Sequence, residues 1–352
     1  MRRLAGRAMA VTGAGGFIGS ALVRRLVAEG VEVHALFGPD DVQELVPVDR
    51  GGEAGGLRAW RGEIDRPECL SALLEGVEVV FHLAGPGSVA SSFAAPVEFA
   101  RIHATGTAAL LAACERARVP HVIYLSSSEV YGRPVRSPID ENHRLQPGSP
   151  YAAAKLAAEH FLEAYHLCHG LAVTVLRPFS VYGPRQSPHG LVAVLLRQLA
   201  HGEIRLADLR PVRDFCYVDD VVDAAVRAAA AGTALSAGAS ERWWTRRRAA
   251  PSSSWHLVLN VGSGVGTSVE ALVRLIVRLR GGEVRVMGGE GAERGDTSLL
   301  LERVADTSRI RVLLGWEAQT PLEVGLQRTL AWWDAESRRG QASPTAGATG
   351  AA

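Results

Sequence analysis

Tyr151 and Lys155 stand four residues apart in a run, 151–169, whose apolar spacing predicts a helix, so both side chains share one face. A free phenol ionises near pH 10, and using it as a base at neutral pH needs a shift of about 3 units, or about 4 kcal/mol. A lysine ammonium beside it supplies part of that shift by favouring the phenolate. Residues 121–125 predict a strand that empties into Ser126-Ser127-Ser128-Glu129. A hydroxyl at that strand end, Ser127, can hydrogen-bond an oxygen of a bound molecule while Tyr151 removes its proton. An alcohol deprotonated in this way gives up a hydride from the same carbon, and something must accept it.

A place for the acceptor is written at the N-terminus. Residues 8–11 predict a strand, and the strand runs into VTGAGGFIG (11–19), which opens a helix. Gly13, Gly16 and Gly19 permit a tight turn, close approach of a pyrophosphate and close helix–strand packing. Phe17 and Ile18 fall in the first turn of that helix, whose free N–H groups and partial positive charge favour phosphate. A nicotinamide dinucleotide fits this loop. NAD and NADP both stay open, because the predicted second strand (31–36) ends in Phe37-Gly38 with neither acid nor arginine. Asp40 and Asp41 lie slightly beyond it, and Glu63-Ile64 offers an adenine contact.

The elements needed to position these groups follow in order. Strands are predicted at 8–11, 31–36, 77–83, 121–125 and 171–176, with helices at 21–29, 97–118 and 151–169. That rhythm predicts an α/β fold with a Rossmann-type doubly wound parallel sheet, ligands lying at the carboxyl ends of its strands. After Pro178 the pattern loosens: helices at 191–201, 218–231 and 268–280 and a short strand at 257–260 predict a smaller C-terminal α/β substrate-binding lobe. The expected division is 1–178 for the dinucleotide domain and 179–335 for an interleaved substrate lobe. Residues 232–254 read as an exposed, flexible insertion and 336–352 as a disordered tail.

Thirty-eight basic and 37 acidic residues leave a net charge of +1, which gives no global attraction to nucleic acid or an anionic membrane. Cys69, Cys114, Cys168 and Cys216 are too scattered for a disulfide frame or a metal site and read as small buried hydrophobes. No apolar run approaches the length of a membrane span. A cytoplasmic protein is expected, with no resident metal.

Several motifs together resemble one family. TGAGGFIG (12–19), FHLAG (81–85), SSSEVYG (126–132), SPYAAAK (149–155), RPFSVYGPRQ (177–186), RDFCYVDDVVDA (213–224) and LNVGSG (259–264) occur in the order found in extended short-chain dehydrogenases/reductases of the nucleotide-sugar epimerase/dehydratase group. The likeness covers about residues 8–333. It implies a tightly bound, recycled NAD or NADP, a nucleotide-diphosphate-sugar substrate and a homodimer built on helices 97–118 and 151–169. It places Ser127 in the catalytic hydroxyl position, Leu83, Ala84, Gly85 and Pro178 along the cofactor, and Arg213 and Arg294 on the substrate diphosphate. Ser88, Ser128, Ser180 and Arg185 are expected at the substrate.

Three positions depart from the pattern: Gly85 replaces a usual alanine, His103 a usual asparagine, and Ser180 the asparagine of RPxNVYG. The resemblance also implies a first step, oxidation of the sugar at C4. Glu129 resembles the glutamate of 4,6-dehydratases, which removes the C5 proton made acidic by the 4-ketone, and residues 202–215 resemble the same group. Sugar-nucleotide decarboxylases carry that glutamate too. A 4,6-dehydratase is therefore the leading expectation, with 4-epimerase, uronic-acid decarboxylase, 4-ketosugar reductase and a non-enzymatic cofactor-binding protein as alternatives.

Overall fold

The computed structural model describes residues 4–39, 56–237, 256–281, 284–288 and 302–342. Its frame is a parallel sheet built from β1 (Ala8–Thr12), β2 (Glu32–Phe37), β3 (Leu57–Arg61), β4 (Val79–His82), β5 (His121–Leu125) and β6 (Ala172–Pro178). Helices α1 (Phe17–Ala28), α2 (Pro67–Leu73), α3 (Val89–Ala94), α4 (Pro96–Ala100), α5 (Gly106–Ala117) and α6 (Pro150–His169) connect these strands. The second half contributes β7 (Ser180–Tyr182), α7 (Leu191–Leu199), β8 (Glu203–Leu206), β9 (Val212–Tyr217), α8 (Val218–Ala237), β10 (His256–Val261), β11 (Gly266–Ser268) and α9 (Val269–Arg280). The chain closes with β12 (Arg285–Gly288), β13 (Glu302–Arg303), α10 (Ser308–Leu314) and α11 (Leu322–Ala342).

The strand order is β10-β6-β5-β4-β1-β2-β3. Alternation along each strand gives the sheet two dry faces. Met9 and Val11 of β1, Val79 and Phe81 of β4 and Ile123 of β5 join α1 and α8 in one core. Ala10, Val80, Val122 and Tyr124 point the other way, onto α5 and α6. The chain leaves β1 for β2 on one side, while β4 lies on the other, so the crevice between the carboxyl ends of β1 and β4 is the topological switch point where such sheets bind ligands.

Four sequence expectations need correction. The strand in the loosened second half belongs to the main sheet: β10 pairs with β6, and α8 packs on α1 and β5. The rest of the second half forms a smaller sheet of β11, β9 and β13 with β7 paired to β9, and a separate β8–β12 pair. The helix expected over 97–118 is not continuous α-helix, because residues Arg101–Thr105 form a π-helical turn between α4 and α5. Helix α8 continues through Ala237 and α11 through Ala342, into segments whose composition predicts an insertion and a tail. The remainder of both, with Asp40 and Asp41, lies outside the described residues. Cys168 is exposed, unlike the buried Cys114 and Cys216. Among the described residues no helix is long and apolar enough to cross a membrane, and no cluster of three or more His, Cys, Asp or Glu could hold a metal ion.

Candidate active site

Gly13 takes φ 71, and a Cβ there would sit 2.8 Å from the Leu83 carbonyl and the Ala84 nitrogen. A Cβ on Gly19 would meet the Gly13 carbonyl oxygen at 2.0 Å. Side chains are thus excluded where the loop after β1 closes on the end of β4 and on α1. Gly16 caps α1 without a side chain, and no acid stands in the first turn, so the first N–H groups of α1, those of Phe17 and Ile18 among them, keep their positive field for an anion. The cradle expected from the glycine spacing is present and fits a dinucleotide pyrophosphate.

A directional chain of hydrogen bonds ties this cradle to the π-helical turn. The Thr107 hydroxyl spends its one proton on the His103 carbonyl, so it must accept from His82 Nε2 at 2.9 Å. His82 Nδ1 is then an acceptor, and the Thr12 hydroxyl donates to it at 2.8 Å. Thr12 Oγ in turn accepts the Ala84 N–H at 3.3 Å. Every member is satisfied only while His82 is neutral. Burial, followed by the Lys155 charge, pushes its pKa down to about 3.

The three residues expected to carry the chemistry, Ser127, Tyr151 and Lys155, come together at the end of β5. Ser127 caps the 3₁₀ turn Ser128–Tyr131, its hydroxyl accepting the Glu129 N–H at 3.2 Å. Ser149 caps α6 by accepting the Ala152 N–H, and Pro150 fixes the first turn, which places Tyr151 and Lys155 on the sheet side. Tyr151 and Lys155 are both buried, with the Tyr151 phenol near Ser127. Burial pushes that phenol up to about 12; the Ser127 hydroxyl opposes the shift and the Glu129 charge adds to it. Lys155 Nζ donates to the Leu125 carbonyl at 2.7 Å and lies 4.8 Å from the Tyr124 ring centre and 6.0 Å from that of Tyr151. Burial lowers its pKa to about 7, against the Glu159 carboxylate. A cationic nicotinamide ring bound beside this pair would supply a field that favours the phenolate.

Glu129 carries an unforeseen partner. Arg303 Nη1 pairs with its carboxylate, and Nη2 donates to the Gly132 carbonyl at 2.8 Å. Arg303 stands on β13 in register with Arg213 on β9, and both charges act on each other and on Glu129. Arg213 also donates to the Val212 carbonyl at 3.1 Å. Its neighbour Asp214 is buried and accepts from Ser263 N and Oγ, Gly264 N and Ala305 N, which stitches β9 to the loop after β10 and to β13. Nothing local in the sequence marks Arg303, because the pairing that delivers it spans most of the chain.

The remaining expected residues are placed as follows. Ala84 and Leu83 lie at the end of β4, and Pro178 ends β6 opposite Val261. Glu63 pairs with Arg66 and Arg101, and Ile64 is buried against Gly106. Ser88 caps α3, accepting from Ser91 N and Oγ, so its lone pairs serve the fold. Ser128 is buried in the 3₁₀ turn, and Ser180 opens β7 opposite Phe215. Arg185 is exposed, in a left-handed conformation (φ 67), with its charge near Arg24 of α1 rather than at Glu129. Arg294 lies outside the described residues.

Comparison with known proteins agrees with this geometry. The model of the NAD dependent epimerase/dehydratase family matches residues 9–239. A UDP-glucose 4-epimerase of Mycolicibacterium smegmatis is 34% identical, the match covering 93% of this chain and 99% of that protein. A dTDP-glucose 4,6-dehydratase of Streptomyces griseus is 32% identical over 92% of this chain and 93% of its own. The solved dTDP-glucose 4,6-dehydratase DesIV of Streptomyces venezuelae, with NAD bound, superposes with a TM-score of 0.78 at 28% identity, covering 95% of this chain and 98% of that one. The chain is an enzyme of the NAD-dependent epimerase/dehydratase family.

Proposed function

We propose that this enzyme oxidises the hexose of a nucleotide-diphosphate sugar at C4 and then uses Glu129 to remove water across C5 and C6. The observation that carries the reading is the position of Glu129, two residues past Ser127 and close enough to act electrostatically on Tyr151. Tyr151, beside Ser127, takes the proton of the C4 hydroxyl; NAD, held by the Gly13–Gly19 loop and the first turn of α1, would supply the acceptor of the C4 hydride and later its donor. The resulting ketone acidifies the C5 proton. Glu129 accepts that proton, the C6 hydroxyl leaves as water with a proton, and hydride and proton return to C6 and C5. No net oxidation results. Arg213, with Arg294, holds the diphosphate in this reading, a task suited to the guanidinium fork. Relatives named for UDP- and dTDP-sugars support that substrate class. The exposed Val97 and Phe161, on helices α4 and α6, support a second copy of the chain packing there.

The test is incubation with a panel of nucleotide-diphosphate hexoses in deuterated water. A product lighter by one water, with deuterium at C5, is expected, and Glu129→Gln should cut its formation by about a hundredfold or more. Turnover without water loss or C5 deuterium, or full turnover by Glu129→Gln, contradicts the reading.

Arg303 favours a second reading. A guanidinium beside Glu129 suits a substrate whose C6 is a carboxylate, and a 4-ketone makes that acid a β-keto acid, which loses CO2. Release of CO2 from a nucleotide-diphosphate hexuronate, in place of water loss from a hexose, identifies this outcome.

A further inference from the structure

His103 sits at the centre of the π-helical turn, a local break that recurs at functional sites. Its ring is buried, its Nε2 meets the Pro86 carbonyl at 3.0 Å, and its Nδ1 is buried with no hydrogen-bond partner among the described residues. The ring centre lies 5.6 Å from that of Tyr151, edge to face, and 5.9 Å from that of Phe99. Phe99 in turn meets the Tyr151 ring edge-on at 6.2 Å. Two aromatic walls therefore set where the phenol can point.

The space for this ring comes from Gly85. A Cβ at Gly85 would lie 2.2 Å from His103 Cε1, 2.6 Å from Nδ1 and 2.9 Å from Nε2, and Gly85 holds φ 122, a backbone that side chains rarely adopt. With this backbone and this imidazole, position 85 has room for no side chain. The two departures from the family pattern at these positions are sterically one.

We propose that His103 is a positioning residue for Tyr151, and that Gly85 and His103 form a matched pair that replaces the usual alanine and asparagine together. The imidazole stays neutral in this role: burial first, then the Lys155 charge, hold its pKa down at about 2 against the Pro86 bond. The groups facing it are Lys155 and Tyr151 of α6, His82 of β4 and the Pro86 carbonyl. No proton transfer by His103 is involved.

A double-mutant cycle on the full chain with NAD as ligand tests the pair. The readouts are the NAD dissociation constant and the ionisation of Tyr151 in the NAD complex, followed by tyrosinate absorbance with Tyr151→Phe as the blank. Gly85→Ala should weaken NAD binding by about tenfold or more and raise the Tyr151 pKa, because the displaced ring presses on the phenol. His103→Asn ends where the Cε1–Nε2 edge begins; it should shift the Tyr151 titration by about half a unit while NAD affinity changes by less than about threefold. The double variant should recover the part of the loss that the clash with the ring causes, while the strain of a side chain at φ 122 remains. Wild-type behaviour of Gly85→Ala, an unmoved Tyr151 titration in His103→Asn, or effects that simply add in the double variant each overturn the proposal. Should Gly85→Ala fail to fold, a native circular dichroism spectrum for the double variant supports the pair, and its failure to fold overturns it.

Discussion

Replacing Lys155 by Met should cut turnover by about a hundred- to ten-thousand-fold and yet make the cofactor-free protein more stable at pH 6. The two effects have one cause. Lys155 is buried beneath the site, and burial lowers its pKa from 10.5 to about 7. Between those values the unfolded chain binds a proton that the folded chain has released, so the contribution of this group to stability rises with pH through that window. Its cost is fully present below about pH 7. Met removes the cost but also the bond from Nζ to the Leu125 carbonyl, leaving a net gain of about 1–3 kcal/mol. Urea unfolding at pH 6 and pH 10.5 checks the sign: the advantage of Lys155→Met should be largest at the lower pH and vanish at the higher. A variant less stable than the parent at pH 6 contradicts this account. Burying an ammonium is then a cost borne for chemistry, of the kind expected where activity and stability compete.

A second large effect is expected at Arg177, which no chemical reading of the sequence singles out. Its Nε and Nη2 fork Glu159 of α6, and its Nη1 donates to the Tyr131 hydroxyl at 3.1 Å. Ser126 donates to the same carboxylate, and Tyr131 passes its own proton to Asn260 Oδ1 at 2.6 Å. Asn260 Nδ2 then reaches the Ile139 carbonyl at 2.8 Å. This buried network joins the strand end that carries Ser127 to α6, which carries Tyr151, to β10 through Asn260 and to the segment of Ile139. Arg177→Met leaves Glu159 as an unpaired buried charge and should destabilise the protein by about 3–5 kcal/mol. The double variant Glu159→Leu/Arg177→Met removes both charges and should recover most of that loss. A loss under about 1 kcal/mol for Arg177→Met in urea unfolding would mean that the pair is not held as described.

The parts legible in the sequence were those whose meaning is local. The glycines of the first loop, the helix that begins near Tyr151 and the i,i+4 spacing of Tyr151 and Lys155 each depend on a few neighbouring residues, and each stands as expected. What could not be read depends on pairing between distant segments. Arg303 reaches Glu129 because β13 lies beside β9, and β10 enters the main sheet beside β6, although the segments between are long. The π-helical turn at His103 was hidden for a different reason: its apolar spacing passes for continuous helix, and only the packing of α4 and α5 on α6 exposes the extra residue. The coupling of Gly85 to His103 is likewise a matter of packing, invisible until both ends of the contact are placed.

Transfer of the C4 hydrogen itself tests the central claim most directly. A nucleotide-diphosphate hexose carrying deuterium at C4 is mixed with the NAD-loaded enzyme, quenched during turnover, and the position of the label is read by mass spectrometry and NMR. Hydride chemistry at Tyr151 and Lys155 predicts deuterium on the reduced nicotinamide at early times and at C6 of the dehydrated product at the end. Product formed with the deuterium still at C4, and none ever found on the nicotinamide, contradicts it.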